Sequence, residues 1–185
     1  MSALGSGRNK TLDMVYIAMF AVLITICSWI SIPTSIPFTL QTFGVFVTVG
    51  ILGGKRGTLA IFIYLLLGVI GIPVFSGFTS GIGVIAGNTG GYIIGFLFSA
   101  FFMWAMEWMI GKKTWALAFS MIGGLLICYV IGTIWFIKIY ASSVGNIGLL
   151  TALSWCVFPF VIPDMVKIAF ALLVCKRLSN IIEIN

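Results

Sequence analysis

Three long stretches of this 185-residue chain, 14–54, 57–106 and 114–137, hold no charged side chain. A helical crossing of a bilayer takes about 20 consecutive apolar residues, so each stretch has room for one or two. A water-soluble domain carries roughly 25% charged residues, whereas this chain is 8% charged and 61% hydrophobic. The pattern predicts an all-α integral membrane protein and excludes a water-soluble fold.

Apolar runs and turn signals place spans at about 13–32, 38–54, 57–72, 89–110, 115–138 and 153–175. The second and third are short: roughly 16 helical residues reach only about 24 Å, so these helices stand nearly upright or end inside the protein body. The expected architecture is a bundle of six transmembrane helices within residues 13–178, with a flexible N-terminal tail at 1–12 and a C-terminal tail at 179–185.

Basic residues give the bundle a direction. Arg8 and Lys10 precede the first span, Lys55 and Arg56 separate the second and third, Lys112 and Lys113 the fourth and fifth, and Lys176 and Arg177 follow the sixth. Positively charged flanks stay inside, which makes these segments cytoplasmic and the topology N-in/C-in. The intervening loops 31–37 and 71–88 carry no charge, and the last has only Lys138 at its edge. Trp108 and Trp115 then mark the cytoplasmic interface, with Trp29, Trp135 and Trp155 in the outer half. The first apolar run is too long for the core of a secretory leader, starts with Asp13 and lacks an obvious cleavage site, so it is read as retained.

Several function classes fall away. The net charge of +6 sits in membrane-flanking pairs and forms no patch for nucleic acid; insertion and anionic lipid explain it. Cys27, Cys128, Cys156 and Cys175 are isolated and the chain has no His, so no metal site or disulfide frame is expected, and the thiols read as small packing residues. Gly81, Gly83 and Gly87 imitate a dinucleotide fingerprint without its βαβ context, and no GxxxxGK[ST] loop occurs. The chain has no P-loop with which to hydrolyse ATP and no evident cofactor. Gly91 and Gly95 have the GxxxG spacing of a close helix contact. A membrane enzyme would need a nucleophile and a base; Ser28, Ser99, Ser120 and Ser154 are present, but the one candidate base system is a Lys–Asp pair.

That pair is the feature that insertion does not explain. Asp13, Glu107 and Glu183 lie near predicted membrane boundaries as solvated or interfacial charges, whereas Asp164 and Lys167 lie twelve and nine residues inside Lys176, about 18 and 14 Å along a helix. An ionisable group at that depth costs roughly 2.5–3.5 kcal/mol on insertion scales and marks a functional site by default. The alternative is an i,i+3 ion pair that only neutralises itself. Pro159 and Pro163 just before it predict an interrupted helix restarting at Pro163, with Asp164 and Lys167 in its first turn beside irregular backbone. Two uncharged polar clusters, 37–42 with Phe38, Thr39 and Gln41, and 87–92 with Asn88, Gly91 and Tyr92, open the second and fourth spans. Their side chains are either helix caps or walls of the same cavity. Phe75, Phe78 and Ile82 suit an apolar lid.

With these motifs in order, the sequence resembles the BioY family, the biotin-binding S components of energy-coupling factor (ECF) transporters. The resemblance rests on Ile36–Thr42, on Lys55-Arg56-Gly57 leading through Leu65–Gly68 to Gly71–Phe75, on Gly87–Phe96, and on Ile162–Lys167, and it covers the chain beyond the first ten residues. It implies a non-enzymatic, multi-pass protein of the bacterial inner membrane that captures biotin from outside. It also implies a membrane coupling subunit and two ABC-type ATPases as partners, and an S component that topples in the bilayer to deliver its ligand. Related S components carry an AxxxA docking pattern on the first span; here Ala18 is followed four residues later by Val22, a departure from it, while Ala21 and Thr25 have the small-xxx-small spacing. The chemistry of biotin suits the residues found: its ureido N–H groups need an acceptor such as Asp164, its carbonyl a donor such as Lys167 or Asn88, its apolar body a Phe, Tyr and Ile lining, and its valerate carboxylate either Lys167, a helix N-terminus or the polar outer loops. The competing reading is a stand-alone channel or secondary transporter built on the intramembrane Asp–Lys pair.

Overall fold

The structure, a computed structural model, describes residues 3–34 and 36–178. Helix α1 (Ala3–Trp29) leads through a short antiparallel pair, β1 (Ser31–Ile32) and β2 (Phe38–Thr39), to α2 (Gln41–Leu52) and α3 (Gly54–Val69). A 3-10 turn at Ser76–Phe78 and the short α4 (Ile82–Ala86) follow, then α5 (Gly90–Ile110), α6 (Thr114–Ser143), α7 (Leu149–Cys156) and α8 (Phe158–Leu178). Among the described residues, four helices are long and apolar enough to cross a membrane: Lys10–Trp29 within α1, and α5, α6 and α8. The chain is thus a predominantly helical, multi-pass membrane protein.

The differences from the expected spans have local causes. α1 begins at Ala3, so the described part of the 1–12 segment continues the first helix; once a helix is nucleated, each added residue costs little. The second segment starts later than residue 38, because Pro37 disfavours helix and the Ser31↔Thr39 and Ile32↔Phe38 pairing holds the next two residues extended. α2 keeps 12 residues, about 18 Å. It ends at Gly53, whose φ of 79° is the left-handed value that glycine tolerates, and α3 starts on the next residue.

The break in the last segment also moves. The sequence predicted a restart at Pro163; the structure breaks at Val157 (φ −125°, ψ −57°), between α7 and α8. Pro159 falls in the first turn of α8, where a missing N–H costs nothing. Pro163 lies inside the helix and leaves the Pro159 carbonyl without its usual donor. Asp164 and Lys167 therefore sit in the second and third turns, not the first.

α2 is the hub of the bundle. It packs against α1, α3, α5 and α8 and buries Val45, Phe46, Val47 and Val49. Helix pairing inside a bilayer is driven by close packing, because lipid is as apolar as the side chains, and the α5–α6 seam shows how this chain meets that need. A Cβ on Gly91 would overlap Trp135, one on Gly132 would overlap Tyr92, and Gly95 faces Cys128 at 3.1 Å. The seam also holds a hydrogen bond from the Ser99 hydroxyl to the Gly124 carbonyl. All four cysteines are buried and free.

Charges gather at one end of the bundle. Asp13 meets Arg56 at 3.0 Å and Glu107 meets Lys112 at 3.6 Å. Glu107 also accepts the Gly54 N–H at the start of α3, where a carboxylate complements the positive end of the helix. These carboxylates, expected to be solvated, are each paired; Glu183 lies outside the described residues. On α1, Ala21 and Thr25 are buried and face the core, with the Thr25 hydroxyl donating to the Ala21 carbonyl at 3.0 Å. Only Ala18 and Val22 of the four docking candidates point outward; the Ala21–Thr25 pair is turned about 60° from them round the helix, which carries it to the buried side of the stripe.

Candidate functional site

At the end of α2 opposite the Glu107–Lys112 pair lies a cavity of about 310 Å³, a size that fits a small ligand. Its walls come from five places: the residues around β2 and the start of α2, the loop between α3 and α5, the start of α5, the middle of α6, and the α7–α8 region. The β2 backbone, held extended beside the α2 start, is the kind of irregular segment that membrane proteins allow only where it lines a cavity.

Asp164 and Lys167 form one wall and are 3% and 6% exposed. The i,i+3 spacing brings Lys167 Nζ to 2.8 Å from Asp164 Oδ1. The same ammonium donates to the Thr39 carbonyl at 2.6 Å and stands 4.2 Å from the centre of the Phe38 ring. The other carboxylate oxygen, Oδ2, accepts the Tyr129 hydroxyl at 2.6 Å. A buried charge pair is tolerated only when further hydrogen bonds satisfy it, and here each charge has protein partners beyond the other.

The α2 start resolves the choice between cap and wall. The Thr39 hydroxyl accepts the Gln41 N–H at 3.1 Å and so acts as a cap, while the Thr39 carbonyl serves Lys167. The Gln41 side chain is buried in the cavity wall and donates from Nε2 to the Tyr64 hydroxyl at 2.9 Å. Tyr64 donates onward to the Val74 carbonyl at 3.2 Å, which also accepts the Ser28 hydroxyl. A hydrogen-bonded chain thus runs from the cavity wall to the foot of the loop between α3 and α5.

That loop is pinned at both feet. Trp29 Nε1 donates to the Pro73 carbonyl at 2.9 Å, and Trp135 Nε1 donates to the Gly87 carbonyl at 3.0 Å. Phe75, one of the expected lid residues, is buried edge-on to Tyr64 and fills the space beside Gly68, where any Cβ would overlap its ring. Phe78 and Ile82 are exposed and do not line the cavity. Phe75, Ser76, Thr79, Val84 and Thr89 are the loop residues that do.

Of the residues singled out from sequence, Asp164, Lys167, Gln41, Thr39 and Tyr92 share this cavity. Tyr92 also bonds Thr133 through its hydroxyl at 3.2 Å. Phe38 stacks on Phe160 with ring centres 5.8 Å apart, beside Lys167. Gly91 serves the α5–α6 seam under Trp135, and Asn88 is exposed next to the lining residue Thr89. Sequence reasoning missed Tyr129 and Tyr64. Each is a tyrosine inside an apolar helix, where a hydroxyl needs a partner, and that was the available signal.

A second cavity of about 360 Å³ lies at the opposite end, between the C-terminal parts of α2, α5 and α8 and the start of α6. Its Glu107 is already engaged by Gly54 and Lys112. The cavity beside β2, with a buried acceptor and a buried donor side by side, is better built to hold a polar planar group inside apolar walls.

Comparison with known proteins finds relatives along nearly the whole chain. The model of the BioY family matches residues 2–183. A biotin transporter BioY from Thermotoga maritima is 38% identical over 170 residues, covering 91% of this chain and 96% of the relative. A probable biotin transporter BioY from Pyrococcus horikoshii is 37% identical over 172 residues, covering 92% and 98%. The crystal structure of the S-component for biotin from an ECF-type ABC transporter superposes with a TM-score of 0.84 at 26% identity, covering 97% of this chain and 95% of that one.

Proposed function

Because the chain belongs to the BioY family, we propose that it is the biotin-binding S component of an ECF-type vitamin transporter, with the Asp164–Lys167 cavity as its ligand site. It is a transport subunit and not an enzyme. The observation that carries the reading is the buried Asp164–Lys167 pair facing a cavity of about 310 Å³. Asp164 accepts one ureido N–H, Lys167 donates to the ureido carbonyl or to the valerate carboxylate, and Tyr92, Phe96, Ile93 and Phe160 surround the apolar ring and chain. Gln41 and Thr39 support this wall from the α2 start.

The same membership supports a wider setting. Six crossings with both termini in the cytoplasm would put the Asp13–Arg56 and Glu107–Lys112 pairs at the inner surface and the ligand cavity towards the outside, in accord with the uncharged outer loops. The protein then resides in the bacterial inner membrane and draws its energy from a coupling subunit and two ATPases. The outward face of α1 at Ala18 and Val22 is the docking candidate that remains accessible.

Titration of the purified full-length protein with biotin in detergent tests the reading. Saturable heat with one site per chain is expected; no heat at micromolar protein would remove it.

A further inference from the structure

The cavity of about 360 Å³ at the charged end of the bundle is graded from apolar to basic. In its inner wall Met103, Ala116 and Cys175 are buried, and Leu117 and Leu172 partly so. Its mouth is formed by Lys112, Thr114 and Lys176, all exposed. Water gains little from an apolar wall of this kind, whereas an acyl chain removes that wall from water.

The mouth selects a charge. Lys112 and Lys176 bring two ammonium groups, against the one carboxylate among the described lining residues, Glu107. Glu107 is turned to the start of α3: it accepts the Gly54 N–H and stands 3.6 Å from Lys112 Nζ. The start of α6 adds to the positive side. Thr114 opens a 30-residue helix with no side-chain cap hydrogen bond, so the first N–H groups and the positive end of the helix dipole lie at the mouth. The chain neighbours of the two lysines, Lys113 and Arg177, are basic as well.

Basic recesses between transmembrane helices at a membrane surface bind anionic lipid headgroups. We propose that this cavity is a binding site for one anionic phospholipid, with the phosphate at Lys112, Lys176 and the α6 start and part of an acyl chain against Leu117 and Leu172. Free phosphate shares the chemistry of the mouth; the apolar wall beyond it favours the lipid. The site lies at the end of α2 away from the Asp164–Lys167 cavity and does not depend on which ligand that cavity holds.

The test takes the full-length protein, delipidated in a neutral detergent, and adds phosphatidylglycerol, phosphatidylcholine with the same chains, or inorganic phosphate. Native mass spectrometry counts the bound lipid, and thermal shift reads stabilisation. One phosphatidylglycerol per chain should be retained in preference to phosphatidylcholine, with a higher melting temperature and little response to phosphate. A lysine near an anionic lipid surface contributes about 5-fold to binding, so Lys112→Gln/Lys176→Gln should weaken phosphatidylglycerol at least ~10-fold. Lys138→Gln, towards the other end of α6, should change it less than ~2-fold. Leu117→Trp narrows the apolar wall without touching either lysine and should also weaken the lipid.

Equal retention of the two lipids, equal losses in Lys138→Gln and the double variant, or stabilisation by phosphate that matches phosphatidylglycerol would each overturn the proposal, the last by reducing the cavity to a simple anion site. Should the double variant fail to fold, salt decides in the unmodified protein: retention must fall steeply between about 0.05 and 0.5 M, and a flat response overturns the proposal. A protein that keeps no lipid but dimerises, with the dimer lost in the double variant, would overturn it too and make this face a contact between copies.

Discussion

Lys167 Nζ lies 2.6 Å from the main-chain oxygen of Thr39, 128 positions earlier in the chain. The bond fastens α8 to the strand before α2, and the Phe38 ring beside it adds a cation–π contact. Lys167→Met would cut this tie and leave the Asp164 charge with Tyr129 as its remaining donor. Removing one member of a buried pair costs about 3–5 kcal/mol, so the variant should unfold at a clearly lower temperature in detergent. The double variant Lys167→Met/Asp164→Asn should regain part of the loss, since it removes the uncompensated charge; a double variant no more stable than the single would locate the damage elsewhere.

Asp164 and Asp13 are both ion-paired, yet only the first faces the ligand cavity. Asp164→Asn replaces one acceptor with a donor and removes the charge, and biotin affinity should fall roughly 10- to 100-fold. Asp13→Asn breaks a surface pair with Arg56 and should change affinity less than about 2-fold. Calorimetry on the two proteins in parallel is the check, and equal effects would reduce Asp164 to a self-neutralising pair.

Gly68 gives the Phe75 ring its place, and a methyl group there would overlap it. Overpacking of this kind costs about 1–3 kcal/mol. We expect Gly68→Ala to lower thermal stability and to speed biotin release by displacing the buried foot of the loop. Combining it with Phe75→Leu should cost less than the two effects summed, measured by thermal shift and by stopped-flow dissociation.

Trp135 holds the other foot of the loop through the Gly87 carbonyl. Trp135→Phe keeps an aromatic ring over Gly91 and removes the indole N–H, a loss of about 0.5–1.5 kcal/mol. Faster dissociation of biotin by a few-fold, with a small change in melting temperature, is the expected outcome. Unchanged dissociation would mean that the loop does not gate release.

The sequence displayed Asp164 and Lys167 openly, because a charged residue surrounded by apolar ones is conspicuous whatever the fold. Their partners were harder to see. Thr39 contributes a main-chain carbonyl, which no residue type encodes, and Tyr129 stands out only when a hydroxyl in an apolar helix is asked where its hydrogen bond goes. The helical breaks show the same division. Gly53 marked a turn that glycine chemistry explains. Pro163 misled, because a proline inside a helix is tolerated where neighbouring groups and packing hold the segment, and the real break fell at Val157, which carries no local signal. On α1, two pairs shared the four-residue spacing, and only packing against the rest of the bundle separated the outward Ala18 and Val22 from the buried Ala21 and Thr25.

The shortness of α2 has an electrical consequence. At 12 residues the helix spans about 18 Å, against a hydrocarbon core of about 30 Å, and a cavity lies at each of its ends. The insulating layer at the centre of the molecule is thinner than the bilayer around it, so a membrane voltage falls more steeply there. A full crossing is worth about 2.3 kcal/mol per unit charge per 100 mV. Two charge pairs, Asp164 with Lys167 and Glu107 with Lys112, stand at the two edges of that layer, and a voltage exerts almost no net force on a neutral pair.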